Sequence, residues 1–381
     1  METRSPSEIL PSTSSTELTR PVVIKIGTAS LMGEAGLDPV AMARFAGVIR
    51  DLMSLGRRVV VVTSGAVGAG RWRLGLNPRS IPEKQAAAAV GQGILMHRYD
   101  QALSAHGLTV AQLLLTRADF GDRPRYLNFI NMLATLLSQP GIVPIVNEND
   151  SVAVEELRFG DNDTLSAMVA SAVDAHSLFI LSDVDGLYDA DPAKSQTAKK
   201  LARISAITPD IEALAGGSAS VWGTGGMATK ISAAKMATSC GIPVVLLHAR
   251  EPQAIVQCLS GGQAGTLFVP VNTRLEGRKR WLAWGGVTTG RLVVDRGAAR
   301  AVSKEGRSLL PAGVLSVHGD FVPGDLVALC TPDDSEFARG LVNYSSADLS
   351  RICGRRSTEI SAILGYKPYD EAVHRSNLVM R

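Results

Sequence analysis

Aromatic residues are scarce in this chain of 381 residues, at 5% against a hydrophobic share of 45%. Alanine, valine and leucine carry the apolar mass instead, the usage of soluble α/β enzymes rather than of membrane proteins. No apolar run is long enough to span a bilayer. Cysteine is rare as well. Cys240, Cys258, Cys330 and Cys353 show no CxxC spacing and the six histidines are scattered singly, so neither a zinc site nor a disulfide framework is indicated, and reduced, cytoplasmic thiols are expected. A dominant charge sign is missing too. The formal charge of +3 gives no whole-chain pull toward nucleic acid, although 16 Lys and Arg face 12 Asp and Glu from Asn272 onward. The first 19 residues, rich in Ser and Thr, lack the apolar core of a secretory signal and are expected to be a disordered tail. There is no internal repeat.

From Pro21 the chain alternates continuous apolar runs with amphipathic stretches, the pattern of a parallel sheet covered on both faces. Strands are expected at 22–26, 58–62, 109–115, 142–146, 177–181 and 242–247. A helix over Asp38 to Leu55 carries apolar residues at Val40, Phe45, Val48, Ile49 and Leu52 and is closed by Gly56. A second, alanine-rich helix over Pro82 to His106 is expected to bend or break at Gly91 or Gly93. After about Asn272 the text changes to short apolar segments separated by Gly, Pro and Asp, with a helix near Ser346 to Ile352. This predicts a small β-rich domain, with the boundary between 272 and 289.

Several stretches carry chemistry. VVIKIGTAS places Lys25 near the carboxyl end of an apolar strand, where a charge is costly unless an anion partners it. VVVVTSGAVGAG has its glycines in the reverse of a dinucleotide fingerprint, yet Ser64 and backbone amides at a helix start can hold a carboxylate or phosphate. NENDSV and GDNDTLSA gather Asn147, Glu148, Asn149, Asp150, Asp161, Asn162 and Asp163 beyond the strand at 142–146. Helix capping accounts for one of these acids, not all. Their density suits a substrate bearing an ammonium group, or lysines that must be oriented. LFILSDVDGLYDADP has no glutamate at the distance a calcium loop needs, and reads as a nucleotide pocket wall. GTGGMATK fails the Walker pattern because Thr229 stands where glycine must precede lysine, but amides at a helix start beside Lys230 make an anion site. The basic, aromatic stretch with Arg274, Arg278, Lys279, Arg280, Trp281 and Trp284 reads as a packed linker or as an RNA-binding surface.

These blocks, in this order across residues 21–272, resemble the amino acid kinase family, and specifically its branch acting on glutamate rather than on aspartate, N-acetylglutamate, carbamate or UMP. GRLVVDRGAARAV, SLLPAGVLSVHGDF and ILGYKPYDEAVHR resemble a PUA domain, a fold also found in RNA-modifying enzymes. The resemblance implies a three-layer αβα sandwich with a mostly parallel central sheet, followed by a small β-rich PUA domain. The segments would be a tail at 1–19, a kinase domain at 20–272, a linker at 273–287, and the PUA domain with a C-terminal tail at 288–381. The implied activity is ATP- and Mg2+-dependent phosphorylation of the L-glutamate side-chain carboxylate to L-glutamyl 5-phosphate, opening proline biosynthesis, with proline as inhibitor. A homodimer or homotetramer and a functional link to glutamyl phosphate reductase are implied likewise.

By position, Lys25 and Lys230 match the lysines that flank the transferring phosphoryl group, and Asp163 the acid that orients them. Ser64, Asp150 and Asn162 match glutamate-binding positions, with Asp161 beside them. Lys25, Ser182, Asp183 and the loop formed by Thr224, Gly225, Gly226, Met227, Ala228, Thr229 and Lys230 match nucleotide-binding positions. No metal ligand is identified.

Overall fold

The computed structural model describes residues 19–34, 36–152, 162–192, 195, 197–215, 226–270, 279 and 288–380. The expected tail before Thr19, the candidates Asp161, Thr224 and Gly225, and the 273–287 stretch apart from Lys279 lie outside them. Contacts divide the chain into two compact units, residues 1–119 with 125–274, and 120–124 with 275–381.

The first unit is built on an eight-stranded sheet. Its strands are β1 (Val22–Ile26), β2 (Val59–Thr63), β3 (Thr109–Leu115), β4 (Ile142–Glu148), β5 (Ser177–Ser182), β6 (Arg203–Ile204), β7 (Val244–His248) and β8 (Thr266–Phe268). They lie in the order β6-β8-β7-β5-β1-β2-β4-β3. All neighbours are parallel except β7 and β8. Runs of β-branched residues make β1 and β2, and every residue of both is buried. Alternation decides which face each serves. Val22, Ile24 and Ile26 pack into a cluster with Phe45, Leu52, Leu95 and Tyr99, while Val23 and Lys25 point the other way, where helix α4 (Asn162–Ala172) packs on β1.

Two helix entries follow directly from sequence. α1 (Pro39–Ser54) opens with Asp38 accepting from the Val40 amide, and Gly56, at φ 75°, accepts the left-handed turn that ends it. α3 (Ile81–Ser104) opens with a reciprocal capping box between Ser80 and Glu83. The expected break in α3 does not occur: the helix runs unbroken past both glycines. Gly91 serves contact instead. A Cβ there would stand 1.8 Å from the Ala66 carbonyl oxygen of α2 (Ala66–Leu74), and one on Gly70 of α2 would stand 1.8 Å from the Ala87 oxygen of α3. The two backbones touch because neither carries a side chain at the seam. Gly93 meets nothing within 4 Å.

The second unit holds a five-stranded sheet of β9 (Gly290–Val294), β10 (Val314–Gly319), β11 (Leu326–Cys330), β12 (Glu336–Val342) and β13 (Val373–Met380), ordered β10-β9-β11-β12-β13. Its core joins Leu292, Val327, Leu329 and Tyr344 to Leu349 and Ile352 of a helix over Ser346–Ile352, where the sequence predicted one. Among the described residues no helix is long and apolar enough to cross a membrane.

The seam yields a paired expectation. Gly91→Ala should lower stability by about 1–3 kcal/mol, the usual cost of overpacking. Gly93→Ala, in open space on the same helix, should raise it by about 0.5–1 kcal/mol. Urea midpoints of the two variants measure both; equal shifts would mean that the seam is not tight.

Candidate functional site

The carboxyl ends of β1, β2, β4 and β5 deliver the candidate side chains to one crevice, the place where open α/β sheets bind ligands. Lys25, opposite Val62 of β2 and Ile180 of β5, is buried. Its Nζ lies 2.5 Å from Asp163 Oδ1. Asp163 sits in the first turn of α4 and is wholly buried. Its second oxygen accepts from Thr229 Oγ1 at 2.8 Å and lies 3.5 Å from Lys230 Nζ. Thr229 and the buried Lys230 belong to the first turn of α5 (Met227–Ser239).

One carboxylate thus serves two ammonium groups. Burial opposes the charge on Asp163, but Lys25 and Lys230, with hydrogen bonds from Lys25 and Thr229, outweigh it and hold the carboxyl below the ordinary carboxylate range. Lys230 also points along its own helix start, 3.4 Å from the Gly226 carbonyl oxygen. Gly226, the N-cap of α5, makes no side-chain cap hydrogen bond, which leaves the first amides of that helix uncapped by it. On the β1 side, a Cβ on Gly27 would stand 3.7 Å from Lys25 Nζ, so glycine keeps the approach to that ammonium open.

A neutral, hydrogen-bonding cluster adjoins the charged one. Asn162 Nδ2 donates to the Thr63 carbonyl at 2.7 Å, to Ser64 Oγ at 2.8 Å and to Asn147 Oδ1 at 3.1 Å. Asn147 Oδ1 also accepts from the Glu148 amide at 2.9 Å, and its Nδ2 donates to Gln92 Oε1 at 2.9 Å. Two buried atoms of this set, Asn162 Oδ1 and Gln92 Nε2, have no hydrogen-bond partner among the described residues. The Thr63 hydroxyl meets Tyr99 OH at 2.7 Å, and burial pushes that phenol up despite the bond. At the end of β5, Ser182 Oγ donates to Asp183 Oδ1 at 2.8 Å. Beyond it Asp185 accepts from Tyr188 OH and Lys200. Burial resists charge on Asp185, and these two donors outweigh it, so its carboxyl lies low.

The structure therefore brings Lys25, Asp163, Thr229 and Lys230 into one cluster and Ser64 with Asn162 into a second. The clusters meet at the sequential pair Asn162–Asp163. Met227 and Ala228 lie in the first turn of α5, Ser182 and Asp183 form a pair of their own, and Asp150 is half-buried in the turn after β4. Sequence reasoning placed Asn147 in the right cluster without a role and missed Gln92, whose neighbours Gly91 and Gly93 drew the attention.

The sequence pattern of the amino acid kinase family matches residues 20–248. The chain belongs to the amino acid kinase family. A PUA domain pattern matches residues 290–364. This amino acid kinase is 56% identical over 364 residues to a glutamate 5-kinase of Moorella thermoacetica, covering 95% of this chain and 96% of the other. It is 48% identical to the glutamate 5-kinase of Geobacter sulfurreducens, over 94% of this chain and 97% of that one. To that of Nostoc sp. it is 49% identical, over 96% and 98%. Among solved structures, carbamate kinase from Giardia lamblia bound to AMP-PNP aligns with a TM-score of 0.50 at 19% identity, over 67% of this chain and all of its own. That likeness concerns the fold.

Replacing Asp163 by Asn would leave two buried ammonium groups without their shared anion. The expected loss is about 3–5 kcal/mol in denaturant unfolding at neutral pH. Because the folded carboxyl lies below its unfolded value, its contribution is fully present above the ordinary carboxylate range and lost as pH falls through the folded value. Asp163→Asn should therefore also flatten the acid limb of stability against pH. An unchanged limb would show that the pair contributes nothing.

Proposed function

We propose that this amino acid kinase transfers the γ-phosphoryl group of ATP to the side-chain carboxylate of L-glutamate, giving L-glutamyl 5-phosphate and ADP. The observation that carries the reading is the Lys25–Asp163–Lys230 set beside the Asn162–Ser64 set: paired cations adjoining neutral amide and hydroxyl groups. The names borne by relatives of nearly full length support it.

The chemistry asks little of the protein beyond placement and charge. A glutamate carboxylate, with an unperturbed pKa of about 4.3, is already ionised at neutral pH, so it needs no general base. One carboxylate oxygen forms the new bond to the γ-phosphorus while the bond from that phosphorus to the ADP oxygen breaks. Lys25 and Lys230 neutralise the charge on the transferring group, and the first amides of α5 hold phosphate oxygens. Asp163 keeps both ammonium heads aimed into the crevice. Ser182 and Asp183 border the nucleotide. Ser64, Asn162 and Asp150 hold the amino acid. Among the described residues no group of three or more His, Cys, Asp or Glu is arranged to hold a metal ion. Mg2+ would enter with the nucleotide phosphates rather than on a protein carboxylate set, and would add its charge there to that of the lysines.

The same reading makes proline an inhibitor, because it resembles a cyclised form of the substrate and suits the same pocket. It also places the enzyme in the cytoplasm as a homodimer or homotetramer, upstream of a glutamyl phosphate reductase.

ADP release with ATP and glutamate, with and without proline, tests the activity; no release with glutamate but release with another carboxylate or phosphate acceptor would replace the substrate. Lys230→Ala should fold and lose about 10²-fold or more in turnover, the scale of removing one charge-stabilising donor. Asp150→Ala should raise the KM for glutamate more than that for ATP, and the reverse order would move Asp150 to the nucleotide side.

A further inference from the structure

Gln92 lies in α3, outside every set of residues assigned above to substrate or nucleotide. We propose that Gln92 is a positioning residue for the amino-acid acceptor, acting through Asn147 on Asn162; the proposal rests on the glutamate reading of the site.

Two backbone groups make the orientation of the amide chain unambiguous. The Glu148 N–H can only donate, so the atom it meets on Asn147, 2.9 Å away, is the oxygen. The Asn147 nitrogen is then turned toward Gln92, which must answer with its own oxygen, as it does at 2.9 Å. At the other end the Thr63 carbonyl can only accept, so Asn162 turns its nitrogen toward it, at 2.7 Å. That nitrogen also lies against Ser64 Oγ and Asn147 Oδ1, so its two hydrogens are shared among three oxygens. A reversed Asn162 would set oxygen against the oxygens of Thr63 and Asn147.

The consequence falls on the far atoms. Among the described residues, Asn162 Oδ1 is an acceptor without a partner and Gln92 Nε2 a donor without one. An unpartnered acceptor suits an ammonium group, which carries three donors and no acceptor. The lone Gln92 nitrogen is the cost of the arrangement: a glutamine facing the other way would set donor against donor at Asn147 and still leave its oxygen without a partner among the described residues. Gln92 is also held firmly, since its neighbour Gly91 forms the seam with α2.

The test is a double-mutant cycle in the full chain with Gln92→Met and Asn147→Ala, reading KM for both substrates, turnover and the melting transition. Methionine keeps the length of the side chain and removes its amide. The exchange trades one unpartnered buried amide nitrogen, Gln92 Nε2, for another, Asn147 Nδ2, so the melting transition should barely move. KM for glutamate should rise about tenfold, in line with a lost positioning hydrogen bond, with KM for ATP within about twofold of the parent. The double variant should bind glutamate no worse than Asn147→Ala alone. An unchanged glutamate KM in Gln92→Met, an equal rise for ATP, or additive effects in the cycle would each overturn the proposal. If the parent enzyme releases no ADP with glutamate, the glutamate reading alone fails, and the cycle is judged on the KM of the acceptor that is turned over.

Discussion

A single carboxylate buried between two ammonium groups is the constraint on which the first unit depends. Asp163 can be charged in the interior only because Lys25 and Lys230 face it, and neither lysine could point inward as it does without Asp163. The three groups come from a strand and two helix starts, so the ion set ties β1, α4 and α5 together at the crevice. β1 lies between β5 and β2, so the strand that carries Lys25 is central and buried on both faces. There a charge persists only in such company.

The start of α4 divides two kinds of recognition by one residue. Asp163 turns to the lysines and manages charge, while Asn162 turns to Thr63, Ser64 and Asn147 and manages direction. Because the two residues are consecutive in a helix, a shift of α4 along its axis would move both sets together. The charged set and the neutral set are therefore held at a fixed separation by the helix.

Much of the architecture is written in local patterns. The apolar runs of β1 and β3 coincide with the observed strands residue for residue: β1 is buried along its whole length, and β3, only partly buried at the sheet edge, is still marked by its apolar end Leu113–Leu115. The short strands β6 and β8, of two and three residues, carry too little text to announce themselves. Lys25 was legible because a charge in an apolar strand needs an explanation. Gln92 was not, because its partner is 55 residues away and nothing near it in the chain implies an amide across the crevice. The glycines of α3 were misjudged for a similar reason. Sequence shows that a side chain is missing, but only the packed structure shows whether another helix takes its place.

The contact between α2 and α3 has a bearing on inheritance as well as on packing. Two glycines must be kept together: Gly70 alone or Gly91 alone leaves the other backbone with a methyl group in its path. A methyl group at either position thus meets the facing backbone, and the helix that carries Gln92 is held close to α2 by residues without side chains.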